Sequence, residues 1–440
     1  MKKTLIAAAI ICTAGAAYAA DFENLAVRAS DLKASAWTQA AAVEPSAAYQ
    51  PLENGLKSAK QTEFQFDIKP LPTGPSSRTE IEQGLLKLYK NKISNELLEK
   101  EIRKSEDFQD QVYSALNSRI SQNAKWPVTV TERRLTGNFV KETTVRFPSL
   151  IQRPGGHAAN TVVARIYETA VQNQYCNYKY PTTIMLHHIL NEVEMIEDVG
   201  KIMSSGVLAK PAIVVVIHMP HYGERRQGNE EFLNSNMEDF RKNMAQLILD
   251  VHLLRNYLET RGNVDTKKMS LSGISLGSVM GLTVGAFDQG FTGYGYLVGG
   301  VDMANILMNR VHTRPDSEVA VALRDLKPEE NSLRDELAAV DGMTWLHRYQ
   351  GKKMFLLSAS QDDIVDYKTS VEPMIEQLRG QNNSLKLKLN NDSHSPTGSA
   401  WSKLKNVFLP LLDFVIDNAL HANTVCSNSN NIMLPQAYSY

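Results

Sequence analysis

The chain has 440 residues, 43% of them hydrophobic and 22% charged, with a formal net charge of −1. That length exceeds one small domain, and the balance excludes a collagen-like or wholly disordered polymer. Near-neutrality argues against a partner held by a strong basic field, so nucleic acid is not an expected ligand.

Residues 1–19, MKKTLIAAAIICTAGAAYA, read as a signal peptide. Lys2 and Lys3 form a positive start, Leu5 to Ile11 an apolar run, and Ala17-Tyr18-Ala19 a small-residue cleavage site. Cys12 does not mark a lipoprotein, because Ala9, Ile10 and Ile11 lack the small residue expected at that cut. The apolar run is too short to span a bilayer, and no other run is long enough for a transmembrane segment. The expected location is periplasmic or secreted, by way of a bacterial signal peptide. Removal of the two lysines leaves 45 basic against 48 acidic residues. Two cysteines remain, Cys176 and Cys426, and an oxidising compartment favours a bridge that pins residues 423–440 to the core.

Residues 20–125 are expected to form an N-terminal arm and a helical hairpin. The alanine-rich stretch 34–48 and the breaker cluster Pro70-Leu-Pro-Thr-Gly-Pro75 suggest an extended linker. Thr79-Glu-Ile-Glu82 has the spacing of a capping box. Leu85, Leu88, Tyr89, Ile93, Leu97 and Leu98 follow at helical spacing, and Phe108, Val112, Leu116 and Ile120 mark a second helix. Packing against the main domain is the expected role; a lid or partner surface is the sharper one.

From Trp126 the pattern changes. VTVTERRL, FVKETTVRF and TVVARIYETA read as strands, the first two alternating like half-buried ones. TTIMLHH and AIVVVIHM are nearly continuous apolar runs, as in parallel strands covered on both faces. An amphipathic helix lies between them, and a long helix covers 237–259. KKMSLSG, YGYLVGG, KKMFLLSAS and LKLKLN are further strands separated by helices, and a helix around VFLPLLDFVIDNAL closes the chain. The alternation predicts an α/β fold: a mostly parallel central sheet with helices on both faces over residues 126–422. Residues 303–350 lie between two strands and are a possible lid. No internal repeat and no nucleotide fingerprint is present, so no cofactor is expected.

Gly273-Ile-Ser275-Leu-Gly277 fits G-x-S-x-G, and it stands between a strand and a helix, where a sharp turn exposes the serine. The glycines suit close backbone approach, and the amide of Leu276 opens the helix, where it can receive an oxyanion. A serine nucleophile needs a base, and the base needs an orienting acid. SASQDDIVDY follows a strand and offers Asp362, Asp363 and Asp366. NNDSHSPTG follows a later strand and offers His394. His347 precedes the acids, and His421 falls in or beyond the final helix.

With the elbow GISLG, the acid turn ASQDDIV and the histidine turn NDSHS, residues 126–422 resemble the α/β-hydrolase superfamily of serine esterases and lipases. The resemblance implies a Ser275–His394–Asp362 triad, with Asp362 at the position matching the family's acid turn and Asp363 as the alternative. Ala359 and Asp366 depart from the family's glycine and proline. The resemblance also implies a second oxyanion amide after Leu186-His187-His188, near His188 or Ile189. The stretch His218-Met-Pro-His-Tyr-Gly-Glu-Arg-Arg226 resembles a P-x-Y-G-x-R-R segment of one branch of the superfamily. His188, Tyr222 and Arg225 are candidate substrate contacts; for Arg225 a pairing with Glu224, Glu230 or Glu231 is the structural alternative.

The expected activity is that of an exported serine hydrolase acting on a small-molecule or lipid-like ester, with thioesters and amides as lesser options. Two other readings compete. His187, His188, His218 and His221 could ligate zinc in a metal-assisted hydrolase. A hydrolase scaffold can also serve as a non-catalytic binding protein.

Overall fold

The computed structural model describes residues 60–134, 140–169, 179–188, 193–204, 212–228, 232–233, 236–313, 330–381, 383–391, 393–394 and 404–417. The signal peptide, Cys176, Cys426, Ile189 and the tail after residue 422 lie outside the described residues, and with them the expected disulfide.

Ten strands form one sheet: β1 (Lys60–Asp67), β2 (Lys125–Arg134), β3 (Val140–Pro148), β4 (Thr161–Thr169), β5 (Tyr180–Leu186), β6 (Ile213–Ile217), β7 (Val264–Ile274), β8 (Gly293–Leu297), β9 (Lys353–Ala359) and β10 (Ser384–Asn390). Their order is β1-β2-β3-β4-β6-β5-β7-β8-β9-β10. From β6 to β10 every pairing is parallel. At the other end β1, β2, β3, β4 and β6 pair antiparallel. The sheet is therefore mixed, parallel in its larger part. The continuous apolar runs of β5 and β6 sit in its middle, and every residue of β6 is buried, as strands covered on both faces require. Both sheet edges are polar: β1 is exposed except at Phe66, and β10 carries Lys386 and Lys388. Charged edge residues discourage pairing with a second chain.

The helices are α1 (Arg78–Leu88), α2 (Asn95–Ile120), α3 (Val193–Ser204), α4 (Met237–Glu259), α5 (Leu276–Phe287), α6 (Met303–Thr313), α7 (Glu330–Leu337), α8 (Gly342–Trp345), α9 (Glu372–Arg379) and α10 (Leu409–Asp417). Helices α5 and α10 occupy opposite faces of β8. A Cβ on Gly281 of α5 would lie 2.8 Å from Tyr296, whereas a Cβ on Gly295 would lie 2.4 Å from Leu411 of α10. Successive strand residues point to opposite faces, so Gly295 and Tyr296 look at different helices.

Residues 60–120, from β1 through the helical hairpin, pack against the rest of the fold. β1 was not expected within the 20–75 linker, although Phe64 and Phe66 alternate with polar residues there. The capping box is Ser77–Glu80, not Thr79–Glu82: the Ser77 side chain accepts from the Glu80 amide, and the Glu80 carboxylate accepts from the Ser77 amide at 2.8 Å. Both pairs share the Ser/Thr-x-x-Glu spacing, and the extended backbone at Ser77 decides between them. Behind the hairpin, Phe108 of α2 meets Phe287 of α5 edge-on at 5.6 Å and Trp345 of α8 at 6.4 Å. His252 of α4 donates Nε2–H to the Lys69 carbonyl at 2.7 Å, while Asp288 holds both His252 and Arg255. Residues 338–349, included in the expected lid, are mostly core: Trp345 and Tyr349 are fully buried between the hairpin and α5.

Gly84 is the tightest point of that docking. A Cβ there would fall 2.2 Å from the Thr344 carbonyl oxygen, a backbone atom with no room to retreat. Gly84→Val is expected to lower stability by about 1–3 kcal/mol, the usual cost of overpacking, read as a lower midpoint in urea unfolding.

Candidate active site

The parallel half of the sheet carries the site at its strand C-terminal ends. β7 ends at Ile274 and α5 begins at Leu276, with Ser275 alone between them. Ser275 has φ 52° and ψ −117°, a conformation uncommon for a residue with a side chain. Three bonds hold it there. Its amide donates to the Leu297 carbonyl at 2.9 Å, and its carbonyl accepts from the amides of Ser278 and Val279 at 2.8 and 3.0 Å. The two glycines are sterically required. A Cβ on Gly273 would lie 2.2 Å from the Gly277 oxygen, and one on Gly277 would lie 2.3 Å from the Leu186 oxygen. The amide of Leu276, in the first helical turn, has no carbonyl four residues earlier within the helix and stays available beside the hydroxyl.

The structure brings three of the candidate residues together. Ser275 Oγ lies 2.9 Å from His394 Nε2, and His394 Nδ1 lies 2.9 and 2.8 Å from the two oxygens of Asp362. A carboxylate can only accept, so Nδ1 carries the proton and Nε2 is left to accept from the serine hydroxyl. Asp362 Oδ1 also accepts from the amides of Ile364 and Val365 at 2.9 and 2.7 Å, which fixes the carboxylate against the ring. Asp362 and His394 are buried, and Ser275 is half-buried. Asp363 is exposed. Asp366 instead caps the next helical turn, accepting from the amide and hydroxyl of Thr369 at 2.8 Å. That role accounts for an aspartate where the family resemblance expects proline.

The acid turn has support that the sequence did not advertise. Asn309 of α6 donates to the Ile364 carbonyl, and Asn305 donates to Thr369 Oγ1 at 2.6 Å. Ser278 donates to the Leu297 carbonyl and accepts from the Leu297 amide, tying α5 to β8 directly behind Ser275. Single small polar residues of this kind have no pattern to distinguish them from surface serines and asparagines.

The other candidates divide. Arg225 is fully buried, donating to Asp250 Oδ2 at 2.7 Å and to the carbonyls of His218 and Ala159. Its partner is thus a core aspartate, rather than Glu224 or the acidic group of a substrate; Glu230 and Glu231 lie outside the described residues. Tyr222 is buried with its ring edge-on to His187 at 4.7 Å. His188 is 6% exposed, and among the described residues neither of its ring nitrogens has a hydrogen-bond partner.

The four-histidine zinc reading loses His187 and His218 to hydrogen bonds within the protein. His187 donates Nδ1–H to the His188 carbonyl and accepts the Met219 amide on Nε2, so both nitrogens are used. His218 accepts the Glu224 amide on Nδ1 and therefore donates Nε2–H to Glu197 at 2.9 Å. His221 Nε2 faces Asn243 Oδ1 at 3.2 Å. Among the described residues no group of three or more His, Cys, Asp or Glu side chains is arranged to hold a metal ion. No helix among them is long and apolar enough to cross a membrane.

No protein-family model matches the chain, and no curated protein matches it in sequence. Solved structures do resemble it in shape. Acetyl xylan esterase 1 from Thermoanaerobacterium sp. JW/SL YS485 is 13% identical, covers 71% of this chain and 94% of its own, and has a TM-score of 0.49. An acetyl xylan esterase from Paenibacillus sp. R4 is 12% identical over 69% of this chain and 94% of its own, with a TM-score of 0.48. A putative dienelactone hydrolase from Klebsiella pneumoniae is 12% identical over 63% of this chain and 99% of its own, with a TM-score of 0.42. Scores and identities this low are a likeness of outline; the chemistry rests on the site.

Burial pushes His187 down to about 3 and His188 down to about 4. The unfolded chain takes up protons on these rings near pH 6.5, while the folded protein refuses them until about pH 3–4. Their contribution to stability is whole above pH 6.5 and is lost as the pH falls through that window. His187→Gln, which keeps a donor and an acceptor, is expected to remove on the order of 1 kcal/mol of stability loss per pH unit between pH 6 and 4. Urea unfolding of both proteins at each pH checks it.

Proposed function

We propose that this protein is a serine hydrolase of the α/β-hydrolase type, cleaving a carboxylic ester through a covalent acyl-enzyme. The observation that carries the reading is the continuous chain of contacts from Ser275 Oγ to His394 Nε2 and from His394 Nδ1 to Asp362.

Each group has a defined task in that reaction. His394 Nε2 takes the hydroxyl proton as Ser275 Oγ attacks the acyl carbonyl. Asp362 keeps the ring in the tautomer that can accept and stabilises the imidazolium that forms. The Leu276 amide, at the positive end of α5, stabilises the oxyanion. His394 then gives its proton to the departing alcohol, and water, deprotonated by the same ring, releases the acid. The strain stored at Ser275 keeps the hydroxyl clear of the helix and open to substrate. The ester is taken over the amide on leaving-group chemistry: either leaves with one proton from His394, but an alkoxide departs before that transfer is complete, whereas an amine must be protonated first.

The reading extends to export, since the leading 19 residues have the signal-peptide pattern and Cys176 and Cys426 are the cysteines left after cleavage. The N-terminal sequence of protein recovered from the periplasm or medium is expected to begin at Ala20. Non-reducing mass spectrometry is expected to show the two thiols joined.

A fluorophosphonate probe is expected to label the wild-type protein at Ser275 and to leave Ser275→Ala unlabelled. With p-nitrophenyl acetate, Ser275→Ala and His394→Ala are expected to lose roughly 10⁶-fold in kcat, and Asp362→Ala roughly 10⁴-fold. A folded Ser275→Ala variant that still turns the ester over at the wild-type rate excludes this mechanism.

A further inference from the structure

Among the described residues, His188 is a polar side chain of the site to which the protein gives no hydrogen-bond partner. The residue is 6% exposed and both ring nitrogens are buried, yet among the described residues neither Nδ1 nor Nε2 has a partner. Buried polar groups in folded proteins are almost always paired, and an exception calls for an explanation. Its neighbours show the contrast: His187, His218 and the triad histidine His394 each have both nitrogens engaged.

Position supplies the explanation. In the parallel pairing of β5 with β7, Leu186 is opposite Gly273. Two residues further on, along the two chains, stand His188 and Ser275. The carbonyls of Leu186 and His187 lie against Gly277, just past the nucleophile. His188 thus stands on the strand end next to the nucleophile and level with it along the sheet, and the charge of His394 reaches its ring. In the reaction proposed above, His394 must reach the departing oxygen to protonate it. A residue level with Ser275 on the neighbouring strand end therefore borders the region that the alcohol half of the ester must occupy.

We propose that His188 is a specificity-determining residue that hydrogen-bonds a hydroxyl carried by the alcohol half of the substrate, next to the ester oxygen. The substrate class is then an ester of a polyhydroxylated alcohol. The proposal rests on the triad reading and refines it. The chemistry of the ring selects the partner. A neutral imidazole offers one donor and one acceptor, and a hydroxyl offers the same pair in return. Burial keeps the ring neutral at ordinary pH, which disfavours a carboxylate or ammonium as partner. A substrate lacking the hydroxyl leaves the ring unpaired in the complex as well, and sites built in this way discriminate against such analogues.

The test compares 2-hydroxyethyl acetate with propyl acetate, alike in acyl group and size, on the full chain. The wild-type protein is expected to favour the hydroxylated ester in kcat/KM by about ten- to a hundred-fold. His188→Leu is expected to lose most of that ratio, chiefly through KM, and His188→Asn, which retains a donor and an acceptor, to keep part of it. A wild-type protein that shows no preference overturns the proposal without recourse to any variant. So does a His188→Leu protein in which the two esters fall by the same factor. Fluorophosphonate labelling separates the two levels. Labelled wild-type protein without the preference removes this inference and leaves the triad, whereas unlabelled wild-type protein removes the triad itself.

Discussion

The site depends on how closely the start of α5 approaches the end of β5. Gly277 sits against the carbonyls of Leu186 and His187 with no space for a methyl group. That contact seats the helix low on the sheet, so the turn that enters it must be tight, and Ser275 takes a positive φ to make it. The helix then points its unpaired first amides at the same spot as the serine hydroxyl. Nucleophile exposure and oxyanion stabilisation are thus two results of one steric constraint.

Around that point the molecule arranges rigid supports rather than loose loops. The acid is held by two backbone amides before it meets the histidine. The turn that follows is capped by Asp366 and braced by Asn305 and Asn309 from α6. Behind the sheet, buried charges are matched to fixed partners. Arg225 meets Asp250, whose charge burial opposes and Arg225 and Ser149 favour. Arg255 and His252 together hold Asp288 well below the usual carboxylate range. Breaking any such pair leaves a bare charge in the core, so these residues constrain the scaffold even where their net contribution to stability is small.

The helical hairpin before the sheet is part of the same construction. It covers α4 and the 338–349 segment, with Phe108 inserted among Phe287 and Trp345. Much of α4 is consequently buried around its whole circumference, with His252, Asn256 and Asp250 inside. A helix that polar along a buried face is stable only because a second layer supplies partners, as the Lys69 carbonyl does for His252.

Local chemistry was enough to read part of this from the chain. Apolar periodicity located the strands and the limits of α4, because burial on one or both faces imprints a period of its own. Gly273-x-Ser275-x-Gly277 marked the elbow, since no other residue type fits where backbones touch. The order Ser275, Asp362, His394 and the choice of Asp362 among three carboxylates came instead from the resemblance to the α/β-hydrolase turns. Tertiary structure alone decided the rest. Arg225 read as a substrate contact or a partner of nearby glutamates because its actual partner, Asp250, is 25 residues away on a different element. His187 and His218 read as metal ligands because nothing local shows that Met219, Glu224 and Glu197 already engage their nitrogens. β1 was hidden because an edge strand gains its identity from the register of its neighbour, β2, whose paired residues lie 58 (Asp67↔Lys125) to 72 (Lys60↔Glu132) positions later. Periodicity and tight turns are written in adjacent residues; which polar group satisfies which is settled only when distant segments meet out of water.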